Sequence, residues 1–345
     1  MAFSVFITAF GSMLALGLLA LRVFPALKLL DKPHKYGLER SPIPYPGGLA
    51  MFFAFLITAV SFLSSSPDVN SVLLGASLLV LVSFVDDRHG LPPALRLLIQ
   101  AVAAGLLVLG GIGISSITNP FGDSFVLNQF EWTITLGELQ WTFTLFADLL
   151  TVAWVLIMVN AFNWIDGVPG MANSVAAVAA AVLLTLSLRD GFHSTDQTVA
   201  IVLSALVLGL SLGHLLFDFP PPRMILGDTG SMLLGFLLAV SAIISGGKIA
   251  TTLLVLGFPL LDFFWVIGRR LLKGQSPFKG DLWHFHHRLL RVGFSEQRVV
   301  IFFAVTAAMF GGLALMLHTE GKAIAFGGIV AIMLILGTLL YTKKK

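Results

Sequence analysis

Apolar stretches close to the length of a bilayer crossing recur along the whole chain, and they limit what it can fold into. About 20 apolar residues span the hydrocarbon layer. Eleven such stretches lie near Phe3–Val23, Gly48–Ser64, Asn70–Val85, Ala94–Gly113, Thr142–Val159, Met171–Leu188, Thr198–Phe217, Gly230–Gly246, Ile249–Ile267, Val299–Leu317 and Ala323–Tyr341. With 57% hydrophobic and 11% charged residues, and a mean hydropathy of +0.94, there is too little polar surface to coat a soluble core. The sequence predicts a single all-α polytopic membrane domain over residues 1–345, with eleven transmembrane helices.

Lys and Arg stay in cytoplasmic loops, so their distribution orients the spans. All but three of the 21 basic residues fall on the side of the Asp86 loop; Arg189, Lys248 and Lys322 lie opposite. That places the N-terminus outside, and the tail Lys343–Lys345 in the cytoplasm. No Lys or Arg precedes Arg22, so the first stretch lacks the basic flank of a cleavable signal and is expected to remain as an anchor. The net charge of +3 then reflects topology, and no nucleic acid is expected as a partner. The absence of cysteine excludes disulfides and thiolate metal sites. In the longest external segment, residues 115–145, two alternating runs (Phe125 to Leu136 and Leu139 to Leu145) meet at Gly137-Glu138, which predicts a small external β-hairpin. No internal repeat is visible, which counts against a secondary transporter built from inverted halves.

Four polar clusters interrupt the apolar pattern, all on the same predicted side. Asp86–Asp87 ends the third stretch; adjacent carboxylates are often merely solvated, but like charges so close resist joint ionisation and call for a nearby cation. Asn160, Asn163 and Asp166 recur at helical spacing along one edge, more than a helix cap before Gly167 requires. Gly227-Asp228-Thr229-Gly230-Ser231 opens the eighth stretch. A helix start suits phosphate and Asp228 offers the hard oxygen Mg²⁺ prefers, although Ser231 and Gly235 alone would read as helix packing. The fourth runs from Asp281 through His284, His286, His287 and Arg288. No closed tetrahedral zinc set accompanies its histidines, so imidazoles and guanidinium are expected on phosphate oxygens, with a short amphipathic helix ending at Gly293. Asp262 lies inside the ninth stretch, where a carboxylate needs a partner; Arg269, two turns on, is the expected one.

Taken in order, Pro44-x-x-Gly47-Gly48, Asp86–Asp87, Asn160-x-x-Asn163-x-x-Asp166-Gly167, Gly227–Ser231 and His284-x-His286-His287-Arg288 resemble the polyprenyl-phosphate N-acetylhexosamine-1-phosphate transferase superfamily. The last motif looks like the branch using simple UDP-N-acetylhexosamines. The resemblance implies transfer of a sugar 1-phosphate, GlcNAc above all, from a UDP-amino sugar to a polyprenyl phosphate at the cytoplasmic face of the cell membrane, with Mg²⁺ as cofactor and UMP as product. The expected site has Asp86, Asp87, Asp166 and His286 as catalytic residues. Arg40, Asn160, His284, His287 and Arg288 bind substrate, and Asn163 and Asp228 hold the metal. Pro169 and Ile225 depart from the family pattern at positions implied to lie near the nucleobase. A transporter and a catalytically silent relative are the rival readings, and a homodimer is compatible with the sequence.

Overall fold

The computed structural model describes residues 1–36, 39–136, 139–189, 196–246, 248–276 and 283–342. Its helices are α1 (Ala2–Ala26), α2 (Gly48–Phe62), α3 (Pro67–His89), α4 (Pro93–Leu109), α5 (Leu145–Ile165), α6 (Met171–Ser187), α7 (Thr198–Asp218), α8 (Gly227–Ile244), α9 (Ile249–Val255), α10 (Gly257–Leu272), α11 (Phe285–Arg291), α12 (Glu296–Met316) and α13 (Thr319–Thr342). The strands are β1 (Ser116–Ile117), β2 (Phe125–Val126), β3 (Glu131–Leu136) and β4 (Leu139–Thr144). Pro67 and Pro93 open α3 and α4, where a missing N–H costs nothing.

Among the described residues seven helices are long and apolar enough to cross a membrane. The pair α9 and α10 makes an eighth if counted as one span, although it bends by 82°. This is a mostly helical, multi-pass membrane protein. The other three expected spans are α2, α4 and α6, helices of 15, 17 and 17 residues. The ninth predicted stretch is continuous in hydropathy, yet it breaks at Leu256-Gly257, with Pro259 lacking a donor one turn into α10. The expected hairpin is present: β3 pairs antiparallel with β4 from Glu131↔Thr144 to Leu136↔Leu139. Its turn, Gly137-Glu138, lies outside the described residues, as does Asp281. The first run is shorter than expected, because Phe125–Val126 pairs instead with Ser116–Ile117.

Helix α8 stands at the centre, buried along nearly its whole length against α5, α3, α2, α6 and α7. Lipid tails are as apolar as leucine, so helices associate through close packing rather than water exclusion. Gly235 shows how: a Cβ there would lie 2.6 Å from the Met158 carbonyl of α5. At one end of the bundle the segment 43–48 lies between two other stretches of backbone. Its Ile43 carbonyl accepts from Asp31 N–H (3.0 Å), and Tyr45 N–H donates to Leu29 (3.0 Å). Across the other edge, Ile225 N–H donates to Pro44 and the N–H groups of Gly47 and Gly48 donate to Ile225 and Leu226. The segment before α2 is thereby fixed to the start of α8.

Candidate active site

The start of α8 gathers the expected residues. Asp87, in the last turn of α3, accepts from the backbone N–H groups of Asp228 (3.1 Å) and Thr229 (3.0 Å) and from the Thr229 hydroxyl. Tyr45 Oη donates to the same carboxylate. Burial, and then the charge of Asp87, push the Tyr45 phenol above its ordinary range, so it stays a donor. The free helix start expected to receive phosphate is thus occupied: Asp87 holds its first amides, as a carboxylate suits the positive end of a helix.

Asp86 points elsewhere. It accepts from Leu91 N–H (2.6 Å) and from the Arg96 guanidinium (2.7 Å), whose same nitrogen lies 3.4 Å from Asp228 Oδ2. The neighbouring carboxylates therefore diverge, Asp87 to the start of α8 and Tyr45, Asp86 to Leu91 N–H and the Arg96 cation. The side chain of Asp86 is 6% exposed and that of Asp228 is 32%, so Asp228 is the carboxylate that faces open space.

From α5, Asn163 Nδ2 lies 3.4 Å from Ser231 Oγ and also donates to the Asp228 carboxylate. Asp166, just past the helix end, accepts from Gly227 N–H and is half-buried. Burial, then the charges of Asp218, Asp228 and Asp87, raise its carboxyl well above the usual range. Asn160 is spent on α4: its Nδ2 donates to Gln100 Oε1 (2.6 Å) and to the Leu156 carbonyl (2.8 Å). Arg40 is likewise engaged, pairing with Asp31 at 2.5 Å.

The histidine motif closes on the α5–α6 turn. A Cβ on Gly167 would meet His286 Nε2 at 2.7 Å, so the absent side chain makes room for that ring. His286 is fully buried, and among the described residues neither ring nitrogen has a hydrogen-bond partner. Burial, then His287 and His284, lower its pKa well below the ordinary histidine value, leaving it neutral. Its ring stacks on His284 at 5.5 Å and lies 4.2 Å from that of His287. Asp262 turns to His284 Nδ1 (2.9 Å) and Phe285 N–H (2.9 Å), while its expected partner, Arg269, lies over the Trp283 ring at 5.2 Å. Arg288 is buried, donates to the Gly337 carbonyl (3.3 Å) and also faces Trp283. The short helix α11 ends before Gly293, as expected.

Several site residues carry no motif. Tyr45, Arg96, Gln100 and Asp218 were not expected. Asp218, fully buried, accepts from Gly170 N–H (2.8 Å) and Asn173 Nδ2 (2.7 Å), and Asn173 also meets His214 Nδ1 (3.0 Å). An imidazole inside the seventh apolar stretch, with a carboxylate four residues on at its end, was the available signal.

Among the described residues no three His, Cys, Asp or Glu side chains are disposed to hold a metal by themselves. The donors near Asp228 nonetheless suit one divalent ion of a particular kind. Mg²⁺ takes one or two protein carboxylates and completes its octahedron with water and substrate phosphates. Asp228 and Asn163 offer such oxygens, and the crowding of Asp166 by Asp218, Asp228 and Asp87 is the repulsion a cation relieves.

Fold and site define a multi-pass membrane protein with a carboxylate-rich polar site where several helix ends meet. Residues 69–246 match the model of glycosyl transferase family 4, over α3 to the end of α8. The chain belongs to that family. It is similar to a decaprenyl-phosphate N-acetylglucosaminephosphotransferase of Mycobacterium leprae, 30% identical over 308 residues, covering 80% of this chain and 73% of the relative. A probable undecaprenyl-phosphate N-acetylglucosaminyl 1-phosphate transferase of Bacillus subtilis is 26% identical over 321 residues, 91% of this chain and 84% of the relative. An undecaprenyl-phosphate alpha-N-acetylglucosaminyl 1-phosphate transferase of Yersinia pestis is 28% identical over 320 residues, 89% and 80%.

Proposed function

We propose that this chain transfers N-acetylglucosamine 1-phosphate from UDP-N-acetylglucosamine to a polyprenyl phosphate, giving a lipid-linked pyrophosphate sugar and UMP. The supporting observation is the meeting of Asp87, Asn163, Asp166 and Asp228 at the start of α8, in a family whose relatives are named for that transfer. An oxygen of the lipid phosphate attacks the β-phosphorus of the donor. The new P–O bond forms as the bond to the α-phosphate oxygen breaks, and UMP leaves with that electron pair.

A phosphate monoester has its second pKa at about 6, so the lipid phosphate is mostly dianionic at neutral pH and needs no base. The task left to the protein is to align two polyanions and offset their charge. Asp228 and Asn163 would hold Mg²⁺, which supplies neutralisation of the phosphate oxygens when bound. Asp87 and Tyr45 orient Asp228 from the backbone side; Asp86 does so through Arg96. The half-buried His287 is the member of the motif best placed to offer an N–H donor to phosphate, and the buried His284, neutral His286 and Arg288 would support it. In this reading eleven crossings put the N-terminus outside and the site at the cytoplasmic face of the cell membrane.

The test is UMP release by purified protein in lipid nanodiscs, with polyprenyl phosphate and a panel of UDP-sugars. Release should require the lipid, favour UDP-N-acetylglucosamine, stop with EDTA and resume with excess Mg²⁺. Release independent of lipid, or none with any donor, would overturn the proposal; movement of solute without UMP would favour a transporter.

A further inference from the structure

The hairpin β3–β4 has two unlike faces. Strand side chains alternate, so one face carries Trp132 opposite Phe143 and Ile134 opposite Trp141. The other carries Glu131 opposite Thr144 and Thr133 opposite Thr142, the two hydroxyls 3.2 Å apart. Nothing among the described residues covers Trp132 and Ile134, which are 55% and 49% exposed. A lone two-stranded hairpin is marginal in water and needs an apolar face packed on something.

Three observations say what covers it. Strand β4 ends at Thr144 and α5, one of the long apolar helices, begins at Leu145, so the hairpin stands at the helix end without a linker. Phe130, at the foot of β3, packs edge-on against Phe146 at 5.6 Å. Phe146 in turn begins the exposed stripe Phe146, Leu149, Ala153, which faces outward from the bundle at helical spacing. The uncovered face of the hairpin thus continues a surface that meets lipid. Its composition fits the same place: no charge, and two tryptophans, whose amphipathic rings are enriched at headgroup depth.

We infer that the hairpin lies flat in the bilayer boundary at the end of α5 remote from Asp166, with Trp132, Ile134, Trp141 and Phe143 in the lipid and the threonine face toward water. Six-residue strands give a contact about 20 Å long. Its partner is a lipid surface, and the inference does not depend on the transferase reading.

The chain has no cysteine, so a single introduced thiol is unique. Nitroxide labels on Ile134→Cys and Thr133→Cys, in phosphatidylcholine proteoliposomes, would be compared for collision with oxygen and with a water-soluble nickel chelate. The label at 134 should meet the chelate several-fold less often than the one at 133, and oxygen more often. Phe143→Cys against Thr142→Cys should repeat the contrast, which guards against a local effect of one label. Equal chelate access on both faces would overturn the inference. So would protection at 134 accompanied by spin–spin broadening that dilution with unlabelled chain relieves, because the cover would then be a second copy.

Discussion

Four donors converge on the Asp87 carboxylate: two backbone amides, a threonine hydroxyl and a tyrosine phenol. A carboxylate offers about four lone-pair sites, so little is left over for taking up a proton or binding an ion directly. In the proposed reaction Asp87 is a positioning residue, and Asp87→Asn separates that role from general base. The amide keeps one acceptor oxygen but turns two N–H donors into the cap of α8, tilting Asp228. Misplacement near 1 Å costs about 10²-fold, so kcat should fall by about that factor at every pH from about 6 to 9. A loss confined to low pH in the UMP-release assay would restore the base. Tyr45→Phe removes one donor of four and should cost about 10-fold, again without reshaping the pH profile. Much of this could not be read in advance. Asp87, Asn163, Asp166 and Asp228 stand out by type and spacing, but Tyr45 lies 42 residues from Asp87 in sequence and bears no mark of the contact. Periodicity offered Arg269 as the partner of Asp262; the side chain that arrives is His284, from beyond the end of α10.

Among the elements, the junction of α2 with α8 is the most sterically exacting. A Cβ at Gly48 would lie 2.0 Å from the Gly230 nitrogen and 2.6 Å from the Thr229 carbonyl carbon, and backbone cannot yield as a flexible side chain would. Gly48→Ala should therefore destabilise by about 1–3 kcal/mol or more, and lower activity further by pushing the start of α8 from Asp87. Thermal unfolding in detergent, monitored beside activity, checks both. Gly105→Ala is the contrast: among the described residues nothing lies within 4 Å of a Cβ added there in α4, so stability should hold or rise by up to about 1 kcal/mol. Equal losses at the two sites would mean the close approach carries no weight. Elements were the most legible layer, since a bilayer-length apolar run or a period-2 alternation states its own geometry. The 82° bend between α9 and α10 was hidden because hydropathy runs unbroken across Leu256-Gly257-Phe258, although Gly257 and Pro259 were there to be read.

For the molecule as a whole, the proposal requires one orientation, and charge supplies the reason. Moving Lys or Arg across the membrane is costly, so loops rich in them remain in the cytoplasm. By sequence order all but three of the 21 basic residues fall on the predicted side of Asp86, which in the proposed reading would tie the polar end of the bundle to the cytoplasmic leaflet. A soluble nucleotide-sugar is available on that side only, and a lipid phosphate can reach the same helix ends from within the leaflet. The hairpin, at the far end of α5, must then face outward. Two single-thiol variants test this, Thr133→Cys in β3 and Glu296→Cys at the start of α12, both at exposed positions. In intact cells a membrane-impermeant maleimide should label the first and spare the second; after permeabilisation it should label both. The reverse pattern would put Asp228 and Asn163 on the outer surface, out of reach of a UDP-sugar, and the transfer reaction would have no donor.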